Sequence, residues 1–184
     1  MKSPFLQEMT GSEPLTIDEE YAMQQSWRAD SDKPPPSSSS PLECTFIVLA
    51  KDRQARPNDY DIYDNGQMIG DVNFYLNNTE NPLEAELEVM LAEDGASGKG
   101  IATEVLALMM HYAANDVGVT DFVARIKEVN DASIHIFTKK LGFVETERSQ
   151  AFKEVTLRRK ADNELRSQLD QLAGHAVRTE YKTS

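Results

Sequence analysis

The stretch that decides the reading is Glu84-Ala85-Glu86-Leu87-Glu88-Val89-Met90-Leu91, followed after a short break by Ser97-Gly98-Lys99-Gly100-Ile101-Ala102. The first block alternates strictly. In a strand, successive side chains point to opposite sides, so Ala85, Leu87, Val89 and Leu91 share one face and Glu84, Glu86 and Glu88 the other. Three carboxylates on one face repel, and partial burial raises at least one pKa towards neutrality, which suits a general base. A half-exposed strand with a solvated acidic face carries the same pattern. The second block is glycine-rich and leads into a helix from about Ala102 to Asp116, with Ile101, Val105, Leu108, Met109 and Tyr112 recurring at steps of three and four. Glycines let backbone N–H groups approach a ligand, and a helix N-terminus favours negative charge, so this loop has the makings of a pyrophosphate cradle. It is equally a flexible turn with glycine for positive φ. It is neither a Walker A loop nor G-x-G-x-x-G.

Working upstream, Met68–Leu76 reads as a strand, Asp64-Asn65-Gly66 as a turn, and Thr45-Phe46-Ile47-Val48-Leu49 as another strand rich in β-branched and aromatic residues. Before it, Pro34-Pro35-Pro36 and Ser37 to Ser40 can form neither ladder nor helix and read as a solvated inserted loop. Thr16 and Glu19 have capping-box spacing, opening a helix through Tyr21, Ala22, Met23 and Trp27 to about Arg28. Downstream come a strand at Asp121–Lys127 and a short helix at Ala132–Lys140 for which Asn130 or Asp131 is the natural cap. Strands then start at Leu141 and at Phe152, and a polar helix fades into a tail from Asp162 to Ser184. Arg158, Arg159 and Lys160 read as a solvated strand end. This order specifies an α/β fold: a mixed, mainly antiparallel central sheet with helices on both faces. The expected divisions are an N-terminal segment at 1–31, the Pro/Ser insert at 32–42, the core at 43–160 and the polar helix and tail at 161–184.

Composition narrows the function. The 184 residues hold 19 Lys+Arg against 31 Asp+Glu, a formal charge of −12. That length fits one domain. The acidic balance speaks against a nucleic-acid footprint and suits attraction of cationic amines. No apolar run approaches the length of a membrane span, and Met1 to Thr10 lacks the pattern of a signal peptide. Cys44 is the only cysteine, so neither an intrachain disulfide nor a thiolate cluster is available. His111, His135 and His175 lack metal-ligand spacing, so no metal site is expected. A soluble, cytoplasmic protein is the resulting expectation.

Strand, Gly98-Lys99-Gly100 loop, helix, strand, Asn130, helix and Leu141-Gly142-Phe143, in that order, resemble the GNAT superfamily of N-acetyltransferases over roughly residues 44–158. The family's loop pattern is Arg/Gln-x-x-Gly-x-Gly/Ala. Gly100 and Ala102 fill its small-residue slots, and Ser97 stands where the family has Arg or Gln. Further blocks are similar to the N-acetyltransferase 9-like subfamily: Ser12-Glu13-Pro14-Leu15-Thr16, Glu20-Tyr21-Ala22-Met23-Gln24, Cys44 to Leu49, Gly70-Asp71-Val72-Asn73, Glu86 to Met90 and Phe152 to Leu157. The family's first strand, which precedes the segment matching Met1 to Thr10, has no counterpart here, so an N-terminally truncated form of the fold is expected.

The resemblance implies acetyl-CoA as cosubstrate and no metal. It implies that Ser97, Gly98, Lys99, Gly100, Ile101 and Ala102 hold the pyrophosphate through backbone amides. Met90, Leu91 and Ala92 would pair backbone groups with the pantetheine arm in a splayed sheet, with Asn130 and Phe137 at the same arm. Glu86, eleven residues before the loop's Arg/Gln slot, is implied as the base, acting directly or through water. Phe137, or Thr138, falls where many relatives carry a tyrosine that protonates the leaving thiolate. The implied acceptor is a protein or peptide amine, N-terminal or lysine, with tubulin or microtubules as a partner. A non-catalytic interaction protein that keeps the fold is the alternative.

Overall fold

The computed structural model describes residues 42–51, 66–91 and 99–178, together with Glu19 and Ala22. The chain divides into two compact units, Met1–Leu42 and Glu43–Ser184. In the first, Glu19 and Ala22 are helical and exposed. The rest of the expected first helix and the Pro/Ser insert lie outside the described residues.

The second unit is built on strands β1 (Leu42–Lys51), β2 (Gly66–Leu76), β3 (Glu84–Leu91), β4 (Asp121–Lys127), β5 (Val144–Ser149) and β6 (Glu154–Lys160). The order across the sheet is β1-β2-β3-β4-β6-β5. β2 and β3 are antiparallel, as are β4 with β6 and β6 with β5, whereas β3 and β4 run parallel. The helices are α1 (Ile101–Tyr112), α2 (Asp131–His135) and α3 (Asn163–Ala173). α1 is the crossover between the parallel strands, which need such a connection.

Cross-strand partners share a face, so the pairs Phe74↔Leu87, Ala85↔Phe122 and Ala124↔Leu157 fix one apolar side of the sheet. Leu106 and Met109 of α1, Phe137 and Leu141 after α2, and Leu165 and Leu169 of α3 close over it in a single buried cluster. Two of these helices owe their starts to side-chain caps: Asn130 Oδ1 accepts from the Ser133 N–H at 3.1 Å, and Asp162 Oδ1 from the Leu165 N–H at 2.9 Å. Each of α1 and α2 widens into a final turn with π-type spacing, Ala113–Val117 and Ile136–Lys140. Gly118, at φ 86°, ends the first, since glycine takes the left-handed conformation that closes a helix without strain. Among the described residues no helix is long and apolar enough to cross a membrane.

Candidate active site

β3 is hydrogen-bonded to β2 along most of its length, from Tyr75↔Glu86 to Gly70↔Leu91. Its pairing with β4 is short: Glu84↔Asp121, Ala85↔Phe122 and Glu86↔Val123, and then the parallel strands part. Beyond Glu86, the β3 edge that faced β4 has no strand partner among the described residues, the kind of edge that an extended amide chain can join. Gly70 sets the other side of this stretch. A Cβ there would lie 2.0 Å from the Met90 carbonyl oxygen, so only glycine lets β2 come so close behind Met90.

Of the glycine-rich residues before α1, Lys99 and Gly100 are described, and both are exposed. Gly100 caps α1 in the left-handed region at φ 81°, and nothing lies within 4 Å of where its Cβ would be. The first N–H of the helix to find a helical carbonyl is that of Glu104, which donates to the Gly100 carbonyl at 3.0 Å. Among the described residues, no backbone carbonyl accepts from the N–H groups of Ile101, Ala102 and Thr103, the donors that a helix's first turn leaves without helical partners. An open amide strip together with such a helix N-terminus fits the pantetheine and pyrophosphate of a coenzyme A thioester. Met90 and Leu91 are half-buried on the strip; Ala92, Ser97 and Gly98 lie outside the described residues. Asn130 spends its side-chain oxygen on the α2 cap. Phe137 sits in the core, 2% exposed and edge-on to Phe143 at a centroid distance of 5.0 Å. The Thr138 hydroxyl donates to the Ile134 carbonyl at 2.7 Å.

On the face opposite the core, the three β3 carboxylates meet three different fates. Glu84 is buried, bonded by Arg158 and by Asn78 Nδ2 at 2.8 Å. Glu86 is bonded through Oε2 by Arg125 of β4 and by Asn77 Nδ2 at 3.4 Å. Among the described residues no cation pairs with Glu88. Although Glu88 as a residue is exposed, loss of water around its carboxyl pushes its pKa up, and the charges of Glu86, Asp71 and Glu43 push further; a hydrogen bond from Tyr75 pulls the other way. The Tyr75 hydroxyl, partly desolvated and facing Glu88, Glu43, Asp71 and Glu86, is pushed up to about 12. Asp71 is also raised by burial, offset by a bond from Asn73 Nδ2 at 3.0 Å. Asn73, directly opposite Glu88 in the register, keeps a buried Oδ1 with no partner among the described residues.

A polar depression of about 400 Å³ continues this face, lined by Asn77, Asn78, Thr79, Glu84, Arg125 and Arg158. Here the expectation of a solvated strand end is corrected at one of its three residues, Arg159. Arg158 keeps 41% of its side chain exposed, as a strand end should, while its guanidinium supplies the counter-charge that buried Glu84 needs. The Arg159 side chain, 18% exposed, lies between Asp162 and Glu164. Lys160 is exposed, as expected. Asp71, Asn73, Tyr75 and Arg125 belong to the site and were not singled out from sequence. Their signal was the alternation of Asp71, Asn73 and Tyr75 with Val72 and Phe74.

Residues 9–144 match the family described as Acetyltransferase (GNAT) domain. The chain is 43% identical over 159 residues to the alpha/beta-tubulin-N-acetyltransferase 9 of Homo sapiens, covering 86% of this chain and 70% of that one. It is 40% identical over 163 residues to an N-acetyltransferase 9-like protein of Nematostella vectensis, covering 89% and 75% respectively. Among solved structures, the spermidine N-acetyltransferase of Vibrio cholerae, crystallised with CoA and spermine, superposes with a TM-score of 0.60 at 16% identity, covering 89% of this chain and 83% of that one; at this identity it speaks for the fold alone. With a sheet parted behind Glu86 and a matching sequence over most of its length, the chain belongs to the GNAT acetyltransferase family and is an N-acetyltransferase.

Proposed function

We propose that the chain transfers an acetyl group from acetyl-CoA to a primary amine of a protein, an N-terminus or a lysine, by direct attack. The observation that carries the reading is the parting of β3 from β4 immediately after Glu86, which sets an open amide edge beside a carboxylate-lined face. When bound, acetyl-CoA supplies an activated acyl carbon on a thiolate leaving group. The β3 edge at Met90 and Leu91 aligns the amide arm, and the Ile101–Thr103 N–H groups with Gly100 receive the pyrophosphate. Asn130 flanks the same path. Backbone N–H groups of β3 face the developing oxyanion. Glu86, fixed by Arg125 and Asn77, is the carboxylate that meets the acceptor ammonium.

Three relatives, 43%, 38% and 39% identical to this chain, carry tubulin in their names, and tubulin is accordingly the acceptor we propose. The acidic chain suits a cationic amine. The test is transfer of labelled acetyl from acetyl-CoA to purified α/β-tubulin, followed by mass spectrometry of the modified amine. The reading expects incorporation that Glu86→Gln lowers by about 10-fold or more in kcat/KM while leaving acetyl-CoA affinity unchanged. An unchanged kcat/KM in that variant refutes the role of Glu86.

One observation favours a second reading, a non-catalytic protein with the same fold. Phe137 is in the core and Thr138 gives its proton to a backbone carbonyl, so neither offers one to a thiolate. Acetyl-CoA binding without any acetyl transfer is the result that selects it.

A further inference from the structure

Glu86 and Glu88 project from one face of β3 at successive outward positions, yet their surroundings differ. The Glu86 carboxylate has Arg125 and Asn77 on Oε2. Glu88 lies two residues past the last β3–β4 pair, where β3 no longer has β4 beside it. The groups that face it are Asn73, Asp71 and Tyr75 from β2, Glu86 from its own strand and Glu43 from β1. Every ionisable member of that set is an acid, and among the described residues none has a cation except Glu86. Opposite Glu88, the buried Asn73 Oδ1 is an acceptor without a donor among the described residues. Unpaired buried acceptors are uncommon, and one set among carboxylates calls for a group that is cationic and donates hydrogen bonds. A primary ammonium is such a group.

We infer that Glu88 takes the proton of the acceptor ammonium, with Asn73 Oδ1 and Glu86 holding that ammonium in place. The inference rests on the acetyl-transfer reading above and divides its chemistry between two carboxylates. One N–H bond of the ammonium breaks and its proton goes to a Glu88 carboxylate oxygen. The freed nitrogen lone pair forms the C–N bond to the acetyl carbon, the C–S bond breaks, and the sulfur keeps its electron pair. A second proton leaves the nitrogen for the sulfur and the third stays on the amide. Glu88 then returns its proton to solvent. Two neighbouring carboxylates with environments that drive their proton affinities apart are a recurring basis for such a division. The crowding of Glu88 by Asp71, Glu86 and Glu43 favours proton uptake, whereas the Arg125 guanidinium beside Glu86 opposes it there.

The experiment measures acetyl transfer from acetyl-CoA to purified α/β-tubulin as kcat/KM against pH, for the wild-type chain and for Glu88→Gln, Glu88→Asp and Glu86→Gln, each checked for folding by thermal denaturation. Glu88→Gln is expected to lose about 100-fold or more and to lose the acid limb of the profile, with KM for acetyl-CoA unchanged. Glu88→Asp keeps an acid limb. Glu86→Gln raises KM for tubulin and moves the acid limb to lower pH, because a like charge next to Glu88 has gone. A folded Glu88→Gln chain with wild-type rate and an intact acid limb overturns the inference and leaves the transfer reading standing. Absence of transfer by the wild-type chain overturns that reading and the role of Glu88 with it.

Discussion

The Arg125 guanidinium reaches Glu86 from two positions beyond Val123, the residue that faces Glu86 in the parallel register, and so spans the point where β3 and β4 separate. It steadies a carboxylate at that point and compensates one of the charges crowded there. The pair is half-exposed, and such pairs add at most about 1 kcal/mol to stability. Its contribution is to orientation.

Arg125→Gln is accordingly expected to lower kcat/KM for protein acceptor by about 10-fold while leaving acetyl-CoA affinity and the unfolding midpoint close to wild type. Arg125→Lys recovers only part of the loss, because a flexible ammonium does not reproduce the planar guanidinium. Steady-state kinetics beside urea unfolding distinguish this from a general loss of structure.

The Glu84–Arg158 pair behaves differently, since Glu84 is buried and Arg158 is not. Arg158→Met strands a buried carboxylate and should cost about 2–4 kcal/mol in chemical denaturation. Adding Glu84→Gln removes that charge while keeping an acceptor for Asn78, and should recover most of the loss. Additive effects in this double-mutant cycle would contradict the pairing.

The carboxyl of Glu88 gives a pH signature of opposite sign to an ion-paired acid. Its pKa is raised on folding, so the folded chain binds the proton more tightly than the unfolded one. Stability from this group is fully present below its unfolded pKa and is lost as pH rises through the folded value. Glu88→Gln should therefore raise the thermal midpoint at neutral pH, by of order 1–3 °C, with the difference vanishing in acid below the ordinary glutamate pKa. Paired melting curves at neutral and acid pH check it.

Much of this fold was legible in the chain because its strands alternate cleanly. The bounds of β3 and β4, and the stop of α1 and its turn at Gly118, coincide with what alternation, helical spacing and a glycine C-cap dictate. Boundaries set by tertiary pairing were less legible: β6 starts at Glu154 rather than Phe152, because Phe152 sits in the hairpin turn with Lys153 at φ 54°. At the site, period-2 geometry showed that Glu84, Glu86 and Glu88 share a face. It could not show which one meets a cation, since Arg125 and Arg158 lie 39 and 74 residues away from their partners. The roles of Asp71, Asn73 and Tyr75 depend on the β2–β3 register, which local pattern does not determine.

Leu165 of α3 is fully buried against the same core as Leu106 and Met109 of α1. Leu165→Ala should cost about 2–5 kcal/mol in urea unfolding. A loss below about 1 kcal/mol would mean that α3 is not part of the cooperative core.

Calorimetric titration of the purified chain with acetyl-CoA shows whether the β3 edge beyond Glu86 and the helix start at Gly100 hold the cosubstrate. One site per chain is expected, abolished by Gly100→Glu, which places a negative charge at the α1 N-terminus and a side chain at φ 81°, while melting shows that the variant is folded. No heat of binding from the folded wild-type chain, or undiminished affinity in folded Gly100→Glu, would contradict that site.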